Sequence, residues 1–368
     1  MLRNVRRTLR YARTWLTGHA PVHEYEALVD RGDREVPVSV LHPRRERRGR
    51  PGWVVLHGIT RPGRFHPTLH RFTRSVASTG AVVVVPQVPE WKDLRLAPEL
   101  TLPTVRAALD LLASHPETGE GPYGLIGFSF GCPQALIAAS EPDVGDRLAQ
   151  VVGFGGYCDM ARTVRFQMTG EHEWAGTRHR LRPDPYGRWI IGGNHLATIP
   201  DYRDAADVAD ALWRLAVEAG ERRILSWDPS YDPLKRRLRD GVAPERRWLF
   251  DLFAPLSSEE PDPALAEEVT RKLSRAVLDV SPLMNPVPYL ERIRPTVRLI
   301  HGKADHLIPF TETLRLAAAF PEGRPVDTTI TALFAHSEQE GRLSSLRREV
   351  REGLRLAGAL GRVLGTLR

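Results

Sequence analysis

The chain has 368 residues, a formal charge of +7, 42% apolar residues and 26% charged residues. That composition supports a sizeable core and excludes a disordered chain, and the length suits two domains or one large α/β domain with an insertion. No aliphatic run approaches the ~18 residues of a membrane span. Two cysteines, Cys132 and Cys158, cannot build a disulfide framework, which points to a reducing, cytoplasmic setting.

Nearly all the positive charge is arginine, and much of it stands beside acids, as in Glu245-Arg246-Arg247. No zinc-finger, basic-zipper or aromatic RNA-binding spacing accompanies it, so no nucleic-acid partner is predicted. One local concentration is sharper. Arg3, Arg6, Arg7, Arg10 and Arg13 precede any acid, the first being Glu24. Leu2, Val5, Leu9, Ala12 and Leu16 recur at three- and four-residue steps, which predicts a basic amphipathic helix over residues 1–18. It lacks the continuous apolar centre of a secretory signal. Two readings follow: its apolar face packs on the protein's own body, which is preferred, or it makes a peripheral contact with an anionic membrane.

From residue 36 onward, short β-branched runs alternate with helical periods. Strands are predicted at Val36 to Leu41 and Trp53 to Leu56, separated by a solvated turn at Arg44-Arg45-Glu46-Arg47-Arg48. A helix over His66 to Ser78 leads to a buried strand at Ala81 to Val85, then a helix over Leu102 to Ser114. Tyr123 to Phe128 is a strand, Pro133 to Ser140 a helix and Val151 to Phe154 a strand. From about Asp159 to Pro288 the alternation stops. Helical patterns occur there at Asp204 to Ala219, Pro244 to Phe253 and Ala264 to Leu278, with no convincing strand. Sheet-type sequence resumes at Val297 to Ile300 and Ile330 to Phe334. A final amphipathic helix follows, with Leu343, Leu346, Val350, Leu354, Ala357, Leu360, Leu364 and Leu367 on one face. The fold class is therefore α/β, a mostly parallel doubly wound sheet with a helical insertion after the sixth strand. Four segments result: a basic arm at 1–24, core at 25–158, insertion at 159–288 and core again at 289–368.

The strongest local signal is Gly127-Phe128-Ser129-Phe130-Gly131, between the strand ending at Phe128 and the next helix. On so tight a turn only small residues fit two positions either side of the serine, whose side chain then stands exposed at the helix N-terminus. A serine needs a base, and the base a carboxylate. Asp305 follows a strand in Gly302-Lys303-Ala304-Asp305, and His336 follows an apolar run in Ala335-His336-Ser337. Asp159 is the alternative acid. Val54-Val55-Leu56-His57-Gly58-Ile59-Thr60 supplies a glycine turn, so the backbone N–H groups of Ile59 and Phe130 are the expected oxyanion donors. His57 is expected to hold that loop, His301 to be structural, and Cys132 to be a small buried filler. Glu171-His172-Glu173 and His179 lack the H-E-x-x-H spacing, so no metal is called for. Among the tryptophans of the insertion, Trp174, Trp189, Trp213 and Trp227, packing is expected to outweigh pocket lining.

Together His57-Gly58, Gly127 to Gly131, Gly302 to Asp305 and His336 resemble the α/β-hydrolase superfamily, over roughly 53–158 and 289–368. The resemblance implies a cap formed by the insertion, acylation of Ser129, orientation of His336 by Asp305, and no cofactor. The Ser129 elbow disfavours the aspartate-bearing dehalogenase and epoxide hydrolase types. The expected function is a capped serine esterase or lipase acting on a small-molecule, apolar ester. Thioester, amide or C–C hydrolysis would use the same triad, and a non-catalytic binding or membrane-surface protein is the reading from another class.

Overall fold

The computed structural model describes residues 2–222, 224–332 and 346–367. Its strands are β1 Val22–Asp30, β2 Glu35–Pro43, β3 Gly52–Leu56, β4 Val82–Pro86, β5 Tyr123–Phe128, β6 Leu148–Phe154, β7 Glu171–Trp174, β8 Thr177–Arg180, β9 Thr296–Gly302 and β10 Val326–Thr331. Eight of them form one sheet in the order β1-β2-β4-β3-β5-β6-β9-β10. From β4 to β10 every pairing is parallel, whereas β1–β2 and β2–β4 are antiparallel.

The helices in chain order begin with α1 Leu2–Thr17, α2 Pro67–Ser78, α3 Pro89–Lys92, α4 Thr101–Ser114, α5 Gly131–Ala139 and α6 Pro142–Gly145. The segment between β6 and β9 holds α7 Met160–Thr169, α8 Pro185–His195, α9 Ala206–Arg222, α10 Asp232–Asp240, α11 Arg247–Phe253 and α12 Pro263–Val280. Last come α13 Phe310–Ala318 and α14 Leu346–Thr366.

The doubly wound layering follows from the period of two along each strand. Val54, Leu56, Val82 and Val84 face a core shared with Val105 and Leu109 of α4 and Ala135 and Leu136 of α5. Trp53, Val55, Val83 and Val85 face the opposite way, onto Phe72 and Val76 of α2 and Leu360 and Val363 of α14. The uninterrupted valines of β4 are legible as a strand because both faces are buried. By contrast β1, absent from the expectations, is an edge strand whose residues are mostly exposed. Its Glu24 pairs with His70 and Arg74, and its Glu26 with Arg64, so polar contacts rather than apolar alternation hold it.

Short-range chemistry builds the insertion. Asp159, Asp184 and Asp262 each cap a helix, accepting from the N–H groups of Arg162, Tyr186, and Ala264 with Leu265. Pro185 and Pro263 follow two of these caps directly, the position where a missing N–H costs nothing. The expectation of an all-helical insertion is corrected by the hairpin β7–β8. Its two-residue turn, Ala175-Gly176, has φ of +48° and +77°, the left-handed pair that a tight hairpin requires. Four-residue polar strands and an alanine where asparagine is usual leave little pattern to read. Among the described residues the predicted face of the last helix also needs correcting at Leu354, and Leu343 lies outside them. Leu354 is 70% exposed, while Leu360, Leu364 and Leu367 are buried. The strand expected at Ile330 to Phe334 begins earlier, β10 running Val326–Thr331, and residues 333 and 334 lie outside the described residues.

His195, at the end of α8, is buried, and among the described residues neither of its ring nitrogens has a hydrogen-bond partner. Burial pushes its pKa down from the ordinary 6.5 to about 4. Between those values the unfolded chain binds a proton that the folded chain refuses. The stability that the neutral ring permits is therefore fully present above pH 6.5 and is lost as pH falls toward 4. His195→Leu is expected to raise stability by about 1 kcal/mol at pH 7 and by more at pH 5, since it removes an unsatisfied buried polar group. Urea titrations of both proteins at the two pH values check this. An unchanged pH slope in the variant would remove the histidine from the account.

Candidate active site

Ser129 sits where β5 turns into α5, half-buried, with φ of +52°. A non-glycine residue pays of order 1–3 kcal/mol for that conformation and keeps it only where its surroundings dictate it. They do so through two glycines. A Cβ at Gly127 would lie 2.0 Å from the Gly131 carbonyl oxygen, and one at Gly131 would lie 2.7 Å from the His57 carbonyl oxygen. The Ser129 N–H continues the β5–β6 ladder, donating to Phe154 O at 2.7 Å, and Ser129 O accepts from Cys132 N. The first turn of α5 is thus locked directly behind the serine, with the helix N-terminus toward it.

The loop after β3 lies against this turn. A Cβ at Gly58 would be 3.1 Å from Ser129 Cβ and 3.6 Å from its Oγ. Among the described residues neither Ile59 nor Phe130 donates its N–H to a backbone carbonyl. His57 fixes the loop. Its Nδ1 donates to Gly58 O at 2.7 Å, while its Nε2 accepts from Val88 N at 3.0 Å and faces Gln87 Nε2 at 3.1 Å. Complete burial lowers its pKa to about 4, so the ring is neutral with its lone pair already engaged. That is the structural part expected of it. Gln87 was not anticipated: its Oε1 also accepts from Arg64 N at 3.4 Å, tying the end of β4 to the segment beyond the glycine turn. Only the fold brings those segments together, so no sequence spacing marks it.

Asp305 follows β9, two strands from Ser129, which is roughly 10 Å across the sheet. It is buried, its Oδ1 accepting from Leu307 N and Ile308 N at 2.9 and 3.0 Å. His301 Nε2 lies 3.1 Å from Asp305 Oδ2 and 2.9 Å from Ile308 O, and its Nδ1 lies 2.6 Å from Thr313 Oγ1. His301 is therefore a buried support for the Asp305 loop. His306, next in the chain, has Nδ1 2.6 Å from Arg182 O and its ring against Trp227. Asp159 has another task. It caps α7 through Arg162 N and pairs with the Arg162 guanidinium. Its own N–H and that of Cys158 donate to Glu312, a buried carboxylate that also receives Arg162 Nε. His336 lies outside the described residues.

The insertion contacts the loops that follow β3 and β4. Arg61 pairs with Asp93 and with Glu221 of α9, and a Cβ at Gly220 would lie 2.6 Å from Arg61 Cγ. Asn194 donates to Leu94 O and accepts from Leu96 N, and Trp213 Nε1 donates to Asp93 O. Trp189 is fully buried, donating to Phe253 O. A cavity of about 410 Å³ opens within the insertion, lined in part by Arg182, Arg188, Trp227 and Lys235, and not by Ser129 or Asp305. Cys132 fills the space beneath the turn, where Cβ atoms at Gly153 and Gly156 would each lie 2.2 Å from its Sγ. Burial raises its thiol pKa to about 12, so it is no second nucleophile. Among the described residues no group of three or more His, Cys, Asp or Glu is placed to hold a metal ion, and no helix is long and apolar enough to cross a membrane.

The sequence matches no family model and no curated protein. Among solved structures the chain is similar to an acylaminoacyl peptidase from Pyrococcus horikoshii, with a TM-score of 0.52 and 14% identity, covering 95% of this chain and 42% of that one. It spans about two fifths of that peptidase's length. An esterase from Rhizomucor miehei has a TM-score of 0.49 at 15% identity, covering 99% of this chain and 91% of its own. A dienelactone hydrolase from Anabaena variabilis has a TM-score of 0.46 at 13% identity, covering 95% and 100%. The chain has the α/β-hydrolase fold.

Proposed function

We propose that the chain is a serine hydrolase of carboxylic esters with an apolar or lipid-like part. The observation that carries this reading is the strained Ser129 turn with the Gly58 loop against it, and we assign the Ile59 and Phe130 N–H groups as the oxyanion donors. Ser129 Oγ attacks the ester carbonyl while His336 takes its proton. The tetrahedral oxyanion is held by the two N–H groups and the α5 N-terminus. Collapse expels the alcohol, which receives the proton from His336, and leaves Ser129 acylated. Water, deprotonated by the same histidine, then releases the acid and restores the serine. Asp305, held by the Leu307 and Ile308 N–H groups on Oδ1 and by His301 on Oδ2, orients His336.

Two further features support the assignment. β10 is the parallel neighbour of β9 and ends at Thr331, so the chain leaves the sheet beside the Asp305 loop. Five further residues, with a reach of at most about 17 Å, lead to His336. The insertion acts as a cap, since Asn194, Trp213 and Glu221 bind it to loops at the carboxyl ends of β3 and β4. Such a roof suits a substrate that must be enclosed. Both cysteines are free thiols, in keeping with a reducing, cytoplasmic setting.

The test is a chromogenic ester series of increasing acyl length, with a matched thioester and anilide, on the wild type, Asp305→Ala and Asp159→Ala. Asp305→Ala is expected to lower the rate by about 10⁴, and Asp159→Ala to leave it within a few fold. The reverse order would transfer the orienting role to Asp159. Faster turnover of the thioester or anilide than of every ester would overturn the ester assignment while keeping the serine.

A further inference from the structure

The amphipathic helix α1 is packed, but on the face opposite to the one its sequence marks as apolar. It lies outside the layer formed by α2 and α14. Tyr11 meets Phe72 edge-on at 5.9 Å, Thr14 Oγ1 donates to Ser78 Oγ at 3.0 Å, and Arg7 Nη1 donates to the Leu364 and Leu367 carbonyls. Arg7, Tyr11 and Thr14 are buried, whereas Val5, Leu9 and Leu16 are 50%, 63% and 76% exposed. At roughly 100° per residue, these three and Ala12 share a stripe about 60° wide facing away from the protein. Arg13, Arg6 and Arg10 follow along one edge of it. The preferred expectation, that the apolar face covers the protein's own core, is therefore corrected. Burial of Tyr11 and the carbonyl contacts of Arg7 decide which face goes down.

We propose that α1 docks the protein on an anionic lipid surface. The helix lies in the membrane plane, with Val5, Leu9 and Leu16 at the boundary of headgroups and acyl chains and with Arg6, Arg10 and Arg13 against the headgroup charges. Charge selects this occupant. No acid precedes Glu24, so a second copy of the same face would bring like charges together, whereas an anionic bilayer offers negative charge and an apolar layer at once. The inference is independent of the hydrolase reading, because none of these residues touches Ser129 or Asp305.

The test is co-sedimentation of the full chain with phosphatidylcholine vesicles, with and without phosphatidylglycerol, at low and high salt. Binding is expected only with phosphatidylglycerol and is expected to weaken with salt. The double variant Leu9→Ser/Leu16→Ser, exposed and hence with an unchanged thermal melt, should bind tenfold or more weakly, by about the loss of two leucine insertions. The triple variant Arg6→Gln/Arg10→Gln/Arg13→Gln should lose the preference for the anionic lipid. Equal binding to both vesicle types, or undiminished binding by the leucine variant, would overturn the proposal. So would a failure to bind vesicles combined with self-association that the leucine substitutions abolish, which would assign the stripe to a second copy.

Discussion

Ser129→Ala is expected to abolish ester hydrolysis, by a factor of roughly 10⁴ to 10⁶ in rate, with the fold retained. The size follows from what is lost and what stays. The variant has no nucleophile to acylate, so only water held near the Ile59 and Phe130 N–H groups could react. On the proposed mechanism the Ile59 and Phe130 N–H groups and the insertion would still bind substrate, which leaves a small residual rate rather than none. The alanine must still adopt the φ of +52° observed at this position, but its side chain is smaller, so thermal stability should change little. A fluorophosphonate probe should label the wild type on Ser129 and leave the variant unlabelled, as read by peptide mass spectrometry. Activity surviving within tenfold of wild type would remove Ser129 from the mechanism, and a label on another serine would say which one replaces it.

Gly127→Ala is expected to be among the most destabilising single substitutions in the chain, costing more than about 4 kcal/mol or preventing accumulation of folded protein. Its added Cβ would lie 2.0 Å from Gly131 O, 2.5 Å from Gly131 C and 2.9 Å from Cys132 Cα. All three are backbone atoms of a turn that is pinned on both sides, by the β5–β6 ladder and by the His57 carbonyl. No side chain can swing aside to relieve the overlap. Gly358→Ala is the control. Within helix α14 its Cβ would meet, among the described residues, nothing nearer than Arg362 Nη1 at 3.7 Å, and a gain of about 0.5–1 kcal/mol is expected from the better helix former. Denaturant melts of the two variants should therefore move in opposite directions. A Gly127→Ala protein with a near-normal melt would mean that the turn can relax, and the strain argument for Ser129 would fall with it.

These contrasts explain how much could be read before the structure. The Ser129 turn was legible because its requirements are local: a strand, two glycines and the start of a helix within nine residues leave no other place for the side chain. The position of Asp305 just beyond a strand was legible for the same reason, since an aspartate there can bond its own following N–H groups at Leu307 and Ile308. The supports were not. Glu312 and Gln87 hold the β6–α7 turn and the His57 loop through partners as far as 154 residues away, for the Cys158 N–H on Glu312. Nothing in their immediate neighbours announces such partners.

The sequence by itself determined the alternation of strands and helices, the buried valine strand β4, the Ser129 turn and the place of Asp305 after a strand. Each depends on contacts within a turn or two of chain, or on a period that any buried element must show. Tertiary structure alone decided that Glu24 and Glu26 lie on an edge strand, that Ala175-Gly176 closes a hairpin, and that the insertion reaches back to the loops after β3 and β4. It also decided which side of α1 is covered. A helical period announces an apolar face but not its occupant, because burial depends on the surface that arrives opposite. Here the arriving surface, Phe72, Ser78 and the free carbonyls at the end of α14, suits a tyrosine, a threonine and an arginine better than a row of leucines.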